Sequence, residues 1–205
     1  MSPSQGTRRR FLAKTGIDPS RVFAVRQVHS HEVIVAENGQ SEPVADGLVA
    51  ANRCSVLSVT VADCLPIFLL DKQSGSFGIV HSGWRGTGIV IAAARLMQQV
   101  FGTTHRSLRV VIGPGIGVCC YQVSEQRFIQ YTEQFGTASG EIRKGQCYLN
   151  LRQANLALLL RRGIEDICIV TDCTACNPLL SSFRRDGAGN FNRMVALVGY
   201  SFMEM

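Results

Sequence analysis

No apolar run in this 205-residue chain is long enough to cross a membrane. The longest, Ile89 to Ala94 and Leu156 to Leu160, fall well short of the ~18 uninterrupted apolar residues a spanning helix requires. Met1 to Arg10 is polar, and Phe11 to Ile17 has no apolar core of the kind a secretory leader carries, so the chain is expected in the cytosol. Acidic residues are the scarcer charge, 15 against 21 basic ones, and the resulting net charge of +6 raises nucleic acid as a partner. The arginines at Arg8 to Arg10, Arg161-Arg162 and Arg184-Arg185 nevertheless form short, separated clusters, without aromatic interleaving and without a helix-turn-helix or RNA-binding signature. A positive field that focuses small anions into a cleft accounts for the charge as well. Neither a nucleic-acid nor a membrane partner is expected, and oligomeric state is not readable from these residues.

Cysteine is not scarce. The eight thiols make an even count, but a domain of this size needs no staples, and in a reducing compartment they read as free thiols. Cys54 and Cys168 lie in apolar runs, Cys119 and Cys120 are adjacent, and Cys173-x-x-Cys176 is half of a zinc ribbon or redox pair. No second C-x-x-C completes it, so Cys173 and Cys176 read as buried or site-lining rather than metal-binding. Hydrophobic content of 46% with 18% charged residues suits one globular domain over 1–205, with 1–10 an atypical or poorly ordered N-terminus.

Strand-like runs alternate with helical ones and nothing repeats. Val22 to Val28, Glu32 to Ala36, Ser55 to Ala62, Ile67 to Asp71, Ser76 to His81, Arg109 to Gly113, Ile167 to Thr171 and Met194 to Ser201 read as strands. Helices are predicted over Thr87 to Phe101, from Ser124 to about Phe135, and over Arg152 to Arg162 with Gly163 as its stop. Gly39 to Pro43 and Thr137 to Gly145 read as solvated connections. These patterns admit an α/β or an α+β fold. In Ile112-Gly113-Pro114-Gly115-Ile116-Gly117 the glycines let the backbone turn tightly and approach a ligand, but the Lys-Ser/Thr of a phosphate loop is missing.

Three segments carry the chemistry: Gln27-Val28-His29, Ala62-Asp63-Cys64-Leu65-Pro66 and His81-Ser82-Gly83-Trp84-Arg85-Gly86. Two imidazoles and a thiolate are zinc ligands, and three of them leave a coordination position for water or substrate, as in a catalytic site. Their separations of 35 and 17 residues are too long for a local zinc knuckle, so the fold must bring them together. On residue type alone a core cysteine and two ordinary histidines are the commoner reading of such short motifs. Asp63 could orient an imidazole, act as acid or base, or cap its turn. Trp84 packs against the loop or stacks on a planar base. Arg85 can bind an anionic oxygen bidentately or brace the loop through a salt bridge. His31 shares a strand face with His29 and competes with it, whereas His105 has only exposure to recommend it.

The ordered set of blocks resembles the YfiH family, also called the laccase-domain, multicopper polyphenol oxidase or peptidoglycan-editing-factor family, now largely described as zinc-dependent purine nucleoside phosphorylases. Besides the three segments it includes Ala45-Asp46-Gly47, Ile112 to Gly117, Cys119-Cys120-Tyr121-Gln122-Val123, Leu149 to Asn155, Asp172-Cys173-Thr174 and Phe183-Arg184-Arg185-Asp186-Gly187. The likeness runs from about Arg8 to the C-terminus. Family members usually begin with a further strand and Gly-rich turn, so the chain is expected to start late and to lack part of one wall of the site.

The resemblance implies a single α/β domain layered α/β/β/α, and zinc held by His29, Cys64 and His81. It implies phosphorolysis of adenosine, inosine and S-methyl-5′-thioadenosine, with adenosine deamination at the same centre. Cys64, His81, Arg85 and Asp63 would be catalytic, and Arg85, Gly113, Gly115 and Gly117 would bind substrate. Ser30 and Ser82 replace the commoner Gly and Ala, and Gly115 replaces a common Cys, so no thiol role carries over there. Two other activities stay open. A cysteine hydrolase editing peptidoglycan precursors would use Cys64 as nucleophile and His81 as base. A copper phenol oxidase would need more than the four histidines present, which makes copper the less favoured metal.

Overall fold

The computed structural model describes Leu12, Lys14 and residues 16–37 and 42–200. Its strands are β1 (Val22–Ala24), β2 (Val33–Val35), β3 (Gly47–Ala50), β4 (Val56–Val61), β5 (Leu65–Asp71), β6 (Phe77–Ser82), β7 (Leu108–Ile112), β8 (Gln122–Val123), β9 (Gly140–Arg143), β10 (Gln146–Leu149), β11 (Asp166–Ile169) and β12 (Met194–Gly199). The helices are α1 (Ile89–Phe101), α2 (Glu125–Phe135), α3 (Leu151–Leu160) and α4 (Phe183–Asp186).

A six-stranded mixed sheet, ordered β11-β7-β5-β6-β3-β2, forms the centre, and a three-stranded sheet, β1-β4-β12, packs on one of its faces. Strand alternation explains the layering, because successive side chains point to opposite faces. Leu48 and Ala50 of β3 and Phe77 and Ile79 of β6 meet Leu57, Val59 and Val61 of β4 in the core between the sheets. Leu65, Ile67 and Leu69 of β5 with Val49 and Val80 face the helices instead. There Ile89, Val90, Ala93, Ala94 and Met97 form one buried stripe of α1. Ile89, Val90 and Met97 each contribute roughly 1.5–3 kcal/mol on burial, and the two alanines less. A small sheet, β8-β10-β9, sits beside α2. The result is the expected mixed α/β single domain.

Caps fix the helix ends. The Ser124 hydroxyl accepts the Arg127 N–H to start α2, and Asn150 Oδ1 accepts the Gln153 N–H to start α3. Gly102, at φ 70°, closes α1 by donating its N–H to Gln98.

Several expectations shift. Thr137 to Gly145 is not an unstructured solvated connection: a 3-10 turn at Thr137–Ser139 leads into β9, which pairs with β10. Strand β3 escapes a search for alternation because all four of its residues are buried. β1 ends at Ala24 rather than Val28, since beyond it the Gln27 side chain replaces the backbone ladder. Gln27 Nε2 donates to the Thr60 carbonyl, and its Oε1 accepts the Thr60 N–H and hydroxyl. The expectations for 1–10, for most of Gly39 to Pro43 and for the late start lie outside the described residues.

Candidate metal centre

β1 and β4 belong to the three-stranded sheet, whereas β2 and β5, which follow them, belong to the six-stranded one. The chain therefore crosses between the sheets twice in the same sense. His29 lies on the first crossover and Cys64 on the second, one residue before β5. Both crossings use left-handed backbone, at His29 (φ 62°) and Asp63 (φ 84°). That conformation costs a non-glycine residue roughly 1–2 kcal/mol, so the surrounding contacts must hold it.

His81 comes from β6. It shares the inter-sheet face with Phe77 and Ile79, and Pro66 lies directly opposite it on β5. Two residues further on, just past the last ladder pair Leu65–Ser82, Cys64 meets Gly83, where an added Cβ would stand 2.7 Å from the Cys64 sulfur. Only glycine leaves room for the thiol. The ligand-capable atoms of His29, Cys64 and His81 lie within 4.8 Å of one another. The two imidazoles meet edge to face with centroids 4.8 Å apart.

Behind them stands Asp46, which is fully buried. Its Oδ1 accepts from His81 Nδ1 at 2.9 Å and from the His29 N–H at 3.0 Å. Its Oδ2 accepts from the Ser30 N–H at 2.6 Å, the Ser30 hydroxyl at 2.8 Å and the Val28 N–H at 3.1 Å. Three consecutive amides thus wrap one carboxylate, and the left-handed turn at His29 is what points them inward. Burial pushes the Asp46 carboxyl up, but the bonds from His81, Ser30 and Val28 outweigh it and hold the group well below the usual carboxylate range.

The same contacts polarise the donors. Burial works against a charged His81, yet Asp46 and Cys64 raise it to about 9. Burial also pushes the Cys64 thiol up, and hydrogen bonds to His29 and His81 bring it down to about 7. With Nδ1 committed to Asp46, Nε2 is the nitrogen His81 has left for a metal. Two imidazoles and an ionisable thiol on adjacent, braced segments fit a zinc ion with one position free. His29 is exposed, so solvent reaches the cluster from that side.

The other expected residues distribute around this core. His31 does not join the cluster; its Nε2 bonds to the Thr87 carbonyl at 3.0 Å. Both oxygens of Asp63 are engaged, by the Thr174 hydroxyl at 2.6 Å and the Arg184 N–H at 2.7 Å, and the carboxylate that orients an imidazole is Asp46. Arg85 is exposed and, among the described residues, makes no ion pair; its guanidinium lies 5.3 Å from the Trp84 ring centroid. Arg127 sits closer to that ring, at 4.4 Å, and the two arginines, Trp84 and Tyr131 help line a cleft of about 380 Å³. Gly113 and Gly115 turn their hydrogen faces toward the protein: a Cβ would stand 2.8 Å from Pro66 Cγ at Gly113, and 2.6 Å from Leu65 Cδ2 at Gly115. Their close approach is therefore to the strand that follows Cys64.

Three residues outside the expected site set support it: Asp46, Gln27 and Asn155. Asn155 is fully buried, and its Oδ1 accepts from the Ser82 hydroxyl and the Gly88 N–H, so α3 holds the loop that follows His81. An aspartate heading the wholly apolar β3 was the available signal for Asp46. Cys173 and Cys176 do not stand alone, although no second C-x-x-C accompanies them in the sequence. Cys119 and Cys120 supply the other pair, and all four sulfurs lie within 4.8 Å of one another.

Over residues 4–201 the chain matches the family described as multi-copper polyphenol oxidoreductase laccase, and it belongs to that laccase-domain family. It is 33% identical over 202 residues to the purine nucleoside phosphorylase of Deinococcus radiodurans, covering 96% of this chain and 77% of that protein. It is 29% identical over 203 residues to the mouse purine nucleoside phosphorylase LACC1, covering 93% of this chain but only 46% of its relative. The chain thus spans about half the length of the mouse protein. Among solved structures, YlmD from Geobacillus stearothermophilus superposes with a TM-score of 0.85 at 30% identity, covering 94% of this chain and 78% of that one. Among the described residues no helix is long and apolar enough to cross a membrane.

Proposed function

We propose that the chain is a zinc-dependent purine nucleoside phosphorylase acting on adenosine, inosine and S-methyl-5′-thioadenosine, and that it also deaminates adenosine. The observation that carries this reading is the convergence of His29, Cys64 and His81 within 4.8 Å around a braced, solvent-accessible point. The names of the relatives supply the reaction class. In phosphorolysis the bond between the base nitrogen and C1′ breaks, a phosphate oxygen bonds to C1′, and free base and pentose 1-phosphate leave. A bound zinc would supply Lewis acidity for orienting an anion or polarising the reacting group.

The protein's own residues set the conditions for that chemistry. Asp46 keeps the proton on His81 Nδ1 and locks the ring orientation. Cys64 enters as thiolate because its neighbours stabilise the anion. Arg85, exposed and without a carboxylate partner among the described residues, neutralises phosphate, while Trp84 and Arg127 form the adjoining wall. Asp63, Gly113 and Gly115 position the Cys64 segment by tying it to neighbouring loops, and Gly117 lets the loops that carry Cys119 and Cys173 approach one another.

One observation favours a second reading. A thiol at about 7 beside an imidazole at about 9 describes a thiolate–imidazolium pair, the resting form of a cysteine nucleophile that would cleave an amide in a cell-wall precursor. One experiment separates the two: metal analysis of protein purified without added metal, followed by product analysis with adenosine with and without phosphate. Stoichiometric zinc and phosphate-dependent release of adenine support the phosphorylase. Turnover that survives chelation, with a substrate adduct trapped on Cys64, would replace it with the hydrolase.

A further inference from the structure

A second metal-capable cluster lies apart from these donors, on loops that the phosphorylase reading does not use for chemistry. We propose that Cys119, Cys120, Cys173 and Cys176 form a closed tetrathiolate site for a structural zinc ion, which clamps the loop of residues 113–121 to the loop of residues 172–177.

Distance is the first argument. The four sulfurs fall within 4.8 Å of one another, with Cys120 and Cys176 at 3.3 Å and Cys119 and Cys176 at 3.7 Å. Four thiolates at the vertices of a tetrahedron with zinc–sulfur bonds of about 2.3 Å stand about 3.8 Å apart. The observed spacing suits a single ion. An iron–sulfur cubane, with four irons between its cysteines, holds the thiolates further apart. Four protein donors also complete a tetrahedron and leave no position for substrate, which is the structural rather than the catalytic arrangement.

The backbone around the sulfurs is shaped to the same end. Cys173-x-x-Cys176 closes on itself through the Cys176 N–H to the Cys173 carbonyl at 3.1 Å, and Cys120 N–H closes on the Gly117 carbonyl at 3.0 Å. Each loop thus presents its two thiols from a tight turn. The Gly117 N–H donates to the Cys173 sulfur at 3.1 Å, a bond that favours thiolate over thiol. A Cβ at Gly117 would stand 3.0 Å from the Cys119 sulfur and 3.2 Å from Cys173 Cβ, so glycine lets the loops approach this closely.

Charge fits as well. Four thiolates around a dication carry a net charge of −2, and three guanidiniums are fastened to these loops. Arg143 donates to the Val118 carbonyl at 2.8 Å, Arg184 to that of Cys120 at 3.4 Å, and Arg152 to that of Gly115 at 2.8 Å. Binding needs no oxidant: each thiol releases its proton to solvent as its sulfur–zinc bond forms.

The clamp bears on the first centre through the backbone. Gly115 and Cys173 form a β-bridge, the Ile116 N–H bonds to the Asp63 carbonyl at 2.8 Å, and Thr174 holds the Asp63 carboxylate at 2.6 Å. Both clamped loops therefore grip the residue immediately before Cys64.

The test uses full-length protein purified under reductant without added metal. Wild type is expected to carry two zinc ions per chain, Cys64→Ala one, and Cys120→Ser/Cys176→Ser one. In Cys64→Ala the retained ion should show four sulfur neighbours at about 2.3 Å by X-ray absorption, and cobalt substitution should give the intense sulfur-to-cobalt charge transfer of an all-thiolate site. This measurement is independent of the first centre, which that variant lacks, and it does not require the double variant to fold. A metal-free Cys64→Ala protein, a retained ion without four sulfur neighbours, or a Cys120–Cys176 disulfide in the reduced protein would overturn the proposal.

Discussion

His29, Cys64 and His81 sit on the crossovers and the strand that join two packed sheets, and a buried carboxylate stands behind them. Cys119, Cys120, Cys173 and Cys176 sit on loops, braced by a backbone amide and by arginines that reach the loop carbonyls. The first set mixes nitrogen with sulfur and stops at three donors; the second is all sulfur and has four. A centre that must keep a position free for substrate needs rigid elements to hold its donors apart from further ligands. A staple needs only that two loops bring enough thiolates together, because the ion itself supplies the order. Under the two proposals the same kinds of ligand serve chemistry in one place and cohesion in the other, according to what lies behind them.

Replacing Cys64 with Ala breaks the comparison most sharply. Turnover should be abolished and the ion of the mixed centre lost, while the fold persists by circular dichroism and the four-cysteine cluster keeps its ion. Retention of metal at the mixed centre, seen as nitrogen-containing coordination in X-ray absorption, would remove Cys64 from the ligand set.

Asp46→Asn tests whether the carboxylate separates the two clusters functionally. Metal affinity at the mixed centre should fall about 10–100-fold, measured by competition with a chromogenic chelator, and the thiolate cluster should be unaffected. The amide also brings an NH₂ into a pocket of N–H donors, so stability should drop by about 1–3 kcal/mol in urea titrations.

Proton release distinguishes the mixed centre in a further way. Below about 9 the metal-free His81 is protonated, and above about 7 Cys64 is a thiolate, so between these values metal uptake must expel one proton from the pair. Affinity should then rise about tenfold per pH unit in this window and more steeply below it, where the Cys64 thiol must ionise too. Calorimetric titrations in buffers of different ionisation heat measure the protons directly; zero release between these values would contradict the Asp46–His81–Cys64 coupling.

The smallest effect is expected at Arg85. Arg85→Ala should raise the KM for phosphate about tenfold, the loss of one charge-assisted contact of about 1.5 kcal/mol, and leave both ions bound. An unchanged phosphate dependence would assign the guanidinium to packing on Trp84.

Much of the fold is legible in the chain because strand and helix periods are local. Leu57, Val59 and Val61 alternate, the stripe from Ile89 to Met97 repeats at helical spacing, and both features appear in the structure at nearly the expected residues. β3 and the β9–β10 hairpin were not legible. The first is buried on both faces and shows no alternation, and the second is a short, largely polar pair stabilised by its partner. Trimming of β1 at Ala24 depends on Gln27 reaching Thr60, a contact 33 residues away in sequence.

By itself the sequence determined most of the element types, a fold that mixes helices and strands, and the inventory of donors, since each depends on residue chemistry and on spacings within a few turns. Tertiary structure alone decided which donors meet. Asp46 rather than Asp63 orients His81 because the β3–β6 and β5–β6 registers place Gly47 opposite Val80 and Pro66 opposite His81. Cys119 and Cys120 find Cys173 and Cys176 because Gly115 bridges to Cys173 across the chain. Proximity of that kind follows from register and loop closure between distant segments, and no local pattern of residues encodes it.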